Sequence, residues 1–218
     1  MQDLSVSYIF GQAWELTKKN FLNLVLGFFL IVIVELILMS ALNINTFMNA
    51  FSNSTNIESN PAVSLLTYII NSCLSVGFFT GCFRICRNEG TFNFNCYSRT
   101  FSVYLKYICT IILFSVIIGI GFVLLIIPGI YLTARLMLAP VRVIDNEETG
   151  IIEALKYSWN ATNGHALELI GLGFIALLVG VLGYLACCIG IFVAAPVIYV
   201  AHVLIYLVLK QMNEGEAI

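Results

Sequence analysis

Residues 13–42 read AWELTKKNFLNLVLGFFLIVIVELILMSAL: a tryptophan-bearing amphipathic segment, two lysines and an asparagine, then 22 predominantly apolar residues. A bilayer core about 30 Å thick is crossed by about 20 such residues in a helix, so 21–42 reads as a membrane span. The chain has two tryptophans, and the second heads the same pattern: Ser158-Trp159-x-x-Thr162 matches Ala13-Trp14-x-x-Thr17, and a long apolar run follows each. An interfacial helix leading into a span, used twice, implies duplicated units with both copies on one side of the bilayer.

Composition agrees. With 60% hydrophobic residues, 10% charged and a mean hydropathy of +0.97, the chain is far from a soluble domain, where about a quarter of residues are charged. Six runs are candidates to span: 21–42, 62–83, 107–127, 129–143, 167–186 and 189–209. The fourth is short. Of the ten basic residues, nine (Lys18, Lys19, Arg84, Arg87, Arg99, Lys106, Arg142, Lys156, Lys210) fall on one set of flanks, and Arg135 lies within the fourth run. The 43–61 loop and the turns near Pro128 and Cys188 carry none, so the positive-inside rule places both termini in the cytoplasm. The first run is longer than a signal-peptide core and has no small-x-small cleavage site, so it is expected to stay as the first span. With a net charge of −2 and no separate basic patch, nucleic acid is not an expected partner.

At 100° per residue, Val6, Ile9, Phe10, Ala13, Trp14 and Leu16 fall on one side of the segment 3–19, opposite Gln12, Glu15, Lys18 and Lys19. Segment 148–163 repeats this, with Ile151, Ile152, Ala154, Leu155, Ser158 and Trp159 facing away from Glu153, Lys156, Asn160 and Asn163. Both are expected to lie on the inner leaflet, with Trp14 and Trp159 as interfacial anchors. A second repeat links Pro128-Gly129-Ile130-Tyr131-Leu132 with Pro196-Val197-Ile198-Tyr199-Val200, 68 positions later. Pro61, Pro128 and Pro196 then mark helix first turns at the outer ends of three hairpins. The expected architecture is all-α: one integral membrane domain, 1–218, of six transmembrane helices in three hairpins with amphipathic inner-surface helices. The middle surface helix, near 92–104, is the least regular.

Charges inside a bilayer are costly and mark functional candidates. Glu35 lies roughly 21 Å from the inner end of its span and Arg135 roughly 10 Å below the outer end of the fourth, at 1.5 Å per residue. In a core of about 30 Å these depths nearly coincide, so a Glu35–Arg135 pair is expected, either as a structural lock between helices or as a substrate or proton site. Pro140 removes a backbone donor and leaves the Leu136 carbonyl without its helical partner, which makes the fourth span a candidate broken or tilted helix. Asn71 and His202 complete the candidate polar site, and His165 with Glu168 is a lesser candidate at the inner mouth of the fifth span. Gly77-x-x-x-Gly81 allows close helix contact.

No metal site is expected: the seven cysteines (Cys73, Cys82, Cys86, Cys96, Cys109, Cys187, Cys188) form no Cys-x-x-Cys pair and read as small interface fillers, with adjacent Cys187-Cys188 as an alternative redox pair. Asn53-Ser54-Thr55 matches a glycosylation acceptor that matters only in a eukaryotic host. No nucleophile elbow, zinc-binding helix or phosphate-binding glycine loop is present, and no cofactor is expected.

The run Pro128-Gly129-Ile130-Tyr131-Leu132-x-x-Arg135-x-x-x-x-Pro140, followed by Glu153-Ala154-Leu155-x-x-Ser158-Trp159-x-x-Thr162-x-Gly164-His165, resembles the bacterial family that includes the membrane domain of glycerophosphoryl diester phosphodiesterases and the YciC-like inner-membrane proteins. The resemblance is most specific over 119–170; the first half shares only hydropathy and length. It implies a polytopic bacterial inner-membrane protein and transfers no catalytic residues. Some relatives carry a soluble phosphodiesterase domain that nothing here encodes. The expected function is a non-enzymatic scaffold or regulator contacting membrane lipids, a membrane-protein partner or a second copy of itself. The alternatives are a small transporter or lipid-handling protein using Glu35, Arg135 and the broken fourth helix, and an intramembrane lipid-modifying enzyme.

Overall fold

The computed structural model describes residues 4–42, 61–90, 92–185 and 190–215. The expected outer loop, its glycosylation acceptor and Cys187-Cys188 lie outside the described residues. Ser5 opens α1 (Val6–Lys19) by accepting from the Tyr8 amide at 3.3 Å; Lys18 and Lys19 sit in its last turn, where cations complement the helix dipole. Then come α2 (Phe21–Leu42), α3 (Pro61–Cys86), a 3-10 turn (Phe94–Tyr97), α4 (Phe101–Leu124), α5 (Ile126–Leu136), α6 (Ala139–Asp145), α7 (Ile151–Ala161), α8 (Ala166–Leu185) and α9 (Ile191–Glu214).

Six stretches are long and apolar enough to cross a membrane: α2, α3, α4, the α5–α6 pair, α8 and α9. Among the described residues there is no strand. The chain is an all-α, multi-pass membrane protein. Its centre is α9, of which 61% is buried against 17% of α2, α4 and α8. α9 packs on α1, α2, α3 and α8, and the other helices turn a face such as Val116, Leu178 and Leu182 outward, as expected where lipid is the solvent.

Three expectations change in detail. Gly77 and Gly81 do not seat a neighbouring helix: a Cβ on Gly77 would lie 2.0 Å from the Tyr97 ring and one on Gly81 2.1 Å from Phe92. Phe92 and Tyr97, flanking and ending the 3-10 turn, therefore act as an aromatic plug against α3, and Phe92 also reaches Gly27 of α2, in place of the expected surface helix. Pro128 falls in the first turn of α5, but Pro196 lies in the second turn of α9. The α4–α5 hairpin closes on glycine, since a Cβ on Gly129 would come within 2.6 Å of the Phe122 ring.

The two tryptophan helices share a burial pattern. In α1, Ile9, Ala13 and Thr17 are buried and Trp14 is half exposed; in α7 and just beyond it, Ala154, Ser158 and Thr162 are buried and Trp159 is half exposed. The i, i+4, i+8 stripe is the packed one, and the indoles lie at its edge.

Candidate functional site

The fourth span breaks at Met137–Leu138, between α5 and α6. Pro140 near the start of α6 lacks an N–H, so the ladder cannot continue through the junction. Two neighbouring elements take up the freed backbone groups. From α7, Ser158 Oγ donates to the Arg135 carbonyl at 2.8 Å and accepts from the Leu138 amide at 3.2 Å. Thr162 Oγ1 lies 3.1 Å from the same carbonyl and 2.7 Å from that of Ser158. From α9, His202 Nε2 lies 3.1 Å from the Met137 carbonyl, a contact that requires the proton on Nε2.

Arg135 is 3% exposed, and its guanidinium stacks 4.4 Å from the Trp159 ring centre and 5.8 Å from that of Tyr131. The two rings meet edge to face at 6.3 Å. Planar delocalised guanidinium is suited to such stacking. Arg135 Nε has no hydrogen-bond partner among the described residues.

The expected Glu35–Arg135 pair is not formed. Glu35 Oε1 accepts instead from Asn71 Nδ2 at 3.4 Å, across α2 and α3. α2 packs on α3 and α9, whereas α5 packs on α4, α7 and α8, so the two charges sit on helices with different neighbours. Of the five candidates, the structure joins Glu35 to Asn71, and groups Arg135, Pro140 and His202 around the break. His165 Nδ1 and Glu168 Oε2 are 2.9 Å apart at the start of α8.

Beside the break is a cavity of about 670 Å³, walled by α4, α5 and α8, with Pro140 and Val141 from α6, Phe79 from α3 and His202 from α9. Its walls are apolar: Tyr107, Phe114 and Phe122 along α4, Met137 and Val141 across the break, Gly173 and Leu177 along α8. Pro140 and His202 line it; Arg135 does not, and among the described residues its lining holds no Asp, Glu, Lys or Arg. From Tyr107 to Phe122 the α4 wall is roughly 22 Å long at 1.5 Å per residue.

A second polar centre was hidden in the sequence. The Asp145 carboxylate, 3% exposed, binds the Arg87 guanidinium, accepts from Tyr206 Oη at 2.8 Å and lies 3.3 Å from Lys210 Nζ. Arg142 reaches Tyr206 Oη at 3.2 Å and Glu214 at 3.1 Å, and stacks 4.0 Å from the Tyr157 ring centre. Arg99 binds Glu147 at 2.8 Å, Thr80 at 3.3 Å and the Ile144 carbonyl at 3.4 Å, and Lys106 donates to the Glu147 carbonyl. Burial pushes the Tyr157 hydroxyl above its ordinary range and that of Tyr97 up to about 12, so both stay protonated. The signal available was the acidic run Asp145-Asn146-Glu147-Glu148 directly after a span whose neighbours end in arginines.

No protein family, no curated protein and no solved structure matches the chain.

Proposed function

We propose that this chain is a non-enzymatic protein of a bacterial inner membrane, with both termini cytoplasmic, that holds an acyl chain of a membrane lipid between α4, α5 and α8. α1 and α7 form a collar at the inner face that meets lipids or a protein partner. The observation that carries this reading is the apolar cavity beside the broken fourth span. Its volume falls in the range of ligand pockets, and its uncharged walls suit hydrocarbon rather than an ion or a polar solute. Orientation follows from the basic flanks. The resemblance of residues 119–170 also supports a polytopic inner-membrane protein. A transporter built on Glu35 and Arg135 has less support, because each has separate neighbours and neither lines the cavity.

Gly173 provides the test. A Cβ there meets no atom within 4 Å, so Gly173→Phe fills the cavity without a backbone clash. Native mass spectrometry of the purified wild type should show a retained lipid, lost in Gly173→Phe and kept in Val116→Phe, whose site is exposed on α4 outside the cavity. Equal lipid retention by Gly173→Phe and wild type contradicts the reading.

A further inference from the structure

A polar pocket of about 300 Å³ opens at the basic end of the bundle, between the end of α3, the segment before α4 and the end of α6. Arg84, Arg87 and Arg99 line it, with Asn95 and Ser98 as neutral hydrogen-bonding groups; Glu89 and Asp145 share the wall. Asp145 is already neutralised inside the bundle by Arg87, Lys210 and Tyr206. Arg99 is anchored through Glu147, Thr80 and the Ile144 carbonyl, and Arg87 stacks 5.1 Å from the Phe83 ring centre. The side chains of Arg87 and Arg99 nevertheless keep 29% exposure each. Among the described residues, the one hydrogen bond of the Arg84 side chain is a 3.9 Å contact to Cys96 Sγ.

We infer that this pocket binds a phosphate group. Two arginines held by ion pairs and one with almost all its N–H groups unspent present fork donors to a common concavity, the geometry that matches phosphate oxygens. Pre-anchoring of Arg87 and Arg99 lowers the ordering cost of binding. Three arginines line the pocket against two carboxylates, Glu89 and Asp145, and Glu147 holds Arg99 from outside it. A basic pocket between membrane helices can take its phosphate from an anionic lipid headgroup or from soluble phosphate. The inference does not depend on the acyl-chain cavity, whose lining shares no residue with this pocket.

The full chain in detergent is titrated with phosphatidylglycerol and, separately, with diacylglycerol, which lacks the phosphate, and binding is read by native mass spectrometry in the Gly173→Phe background so that the arginine site reports alone. Phosphatidylglycerol should bind in preference to diacylglycerol, and Arg84→Gln should weaken it about tenfold, the scale of one lost charged hydrogen bond. Arg84→Lys should weaken it less, and Val116→Phe, exposed on α4 outside both pockets, should leave it unchanged. Displacement of the lipid by millimolar inorganic phosphate assigns the site to soluble phosphate; retention against it assigns the site to the lipid headgroup. Equal binding of the two lipids, together with no binding of inorganic phosphate by isothermal titration calorimetry, overturns the inference even if Arg84→Gln does not fold, and so does wild-type binding by a folded Arg84→Gln.

Discussion

Ser158 Oγ donates to the carbonyl of Arg135 at 2.8 Å, joining the second tryptophan helix to the point where the fourth span breaks. The same hydroxyl accepts from the Leu138 amide, so one small side chain satisfies a group on each side of the junction. The motif Ser158-Trp159-x-x-Thr162 is thus a capping device: Ser158 and Thr162 serve the Arg135 backbone, and Trp159 carries the Arg135 guanidinium. Ser158→Ala should therefore lower stability in detergent by about 1–3 kcal/mol, the cost of leaving buried backbone groups unsatisfied. A thermal midpoint equal to that of wild type would contradict the capping role.

Arg135 and Trp159 should be coupled through stacking rather than charge pairing. Arg135→Lys keeps the charge and loses the planar face, and should destabilise by about 0.5–2 kcal/mol. In a Trp159→Leu background the same substitution should cost less. An unchanged cost of Arg135→Lys in the two backgrounds would show that the 4.4 Å contact contributes nothing.

Glu35 and Asn71 form a hydrogen bond across α2 and α3, and Glu35 and Arg135 share no contact. Double-mutant cycles separate the two cases. Glu35→Gln with Asn71→Ala should be non-additive by about 0.6 kcal/mol, typical of hydrogen bonds between membrane helices. Glu35→Gln with Arg135→Gln should be additive, and a coupling there equal to the Asn71 one would restore the pairing that depth alone suggests.

Asp145 is the most heavily partnered carboxylate at the basic end, binding Arg87, Tyr206 and Lys210. Removing its charge strands cations gathered around it, so Asp145→Asn should destabilise by about 3–5 kcal/mol, the range for breaking a buried ion pair. Tyr206→Phe loses two hydrogen bonds, one to Asp145 and one from Arg142, and should cost about 1–3 kcal/mol. Chemical or thermal unfolding in detergent checks both, and a larger loss from Tyr206→Phe than from Asp145→Asn would place the weight of the network elsewhere.

Trp14 and Trp159 lie at the edges of their buried stripes, at 49% and 41% exposure, so both indoles are available to the bilayer interface. In single-tryptophan variants, lipids brominated high on the acyl chain should quench each more strongly than lipids brominated near its end. The reverse order for either residue would remove it from the interface.

Hydropathy and charge were enough to read the spans, because an apolar run of bilayer length has few alternative fates. The end of α1 and the start of α2 were legible in Lys18, Lys19 and Asn20. The start of α4 was not: it begins at Phe101, six residues before the apolar run at Tyr107, because Lys106 carries its charge to the Glu147 carbonyl without interrupting the helix. Periodicity along a helix gives depth and face, and neither says which helix stands opposite; that is why Glu35 was matched with Arg135 rather than Asn71. Pro140 announced the break, yet the partners that satisfy it come from residues 158, 162 and 202, separations no local pattern carries. The basic residues on the flanks read as topology signals, and their assembly around Asp145 required the fold.

A density map of the chain purified in native-lipid nanodiscs decides whether the cavity beside the broken span holds a lipid chain. A continuous tubular density should run along the α4 wall from Tyr107 towards Phe122, passing Gly173 of α8, and should be absent from Gly173→Phe. A cavity closed by repacked side chains, or one holding only discrete water density, would contradict lipid occupancy.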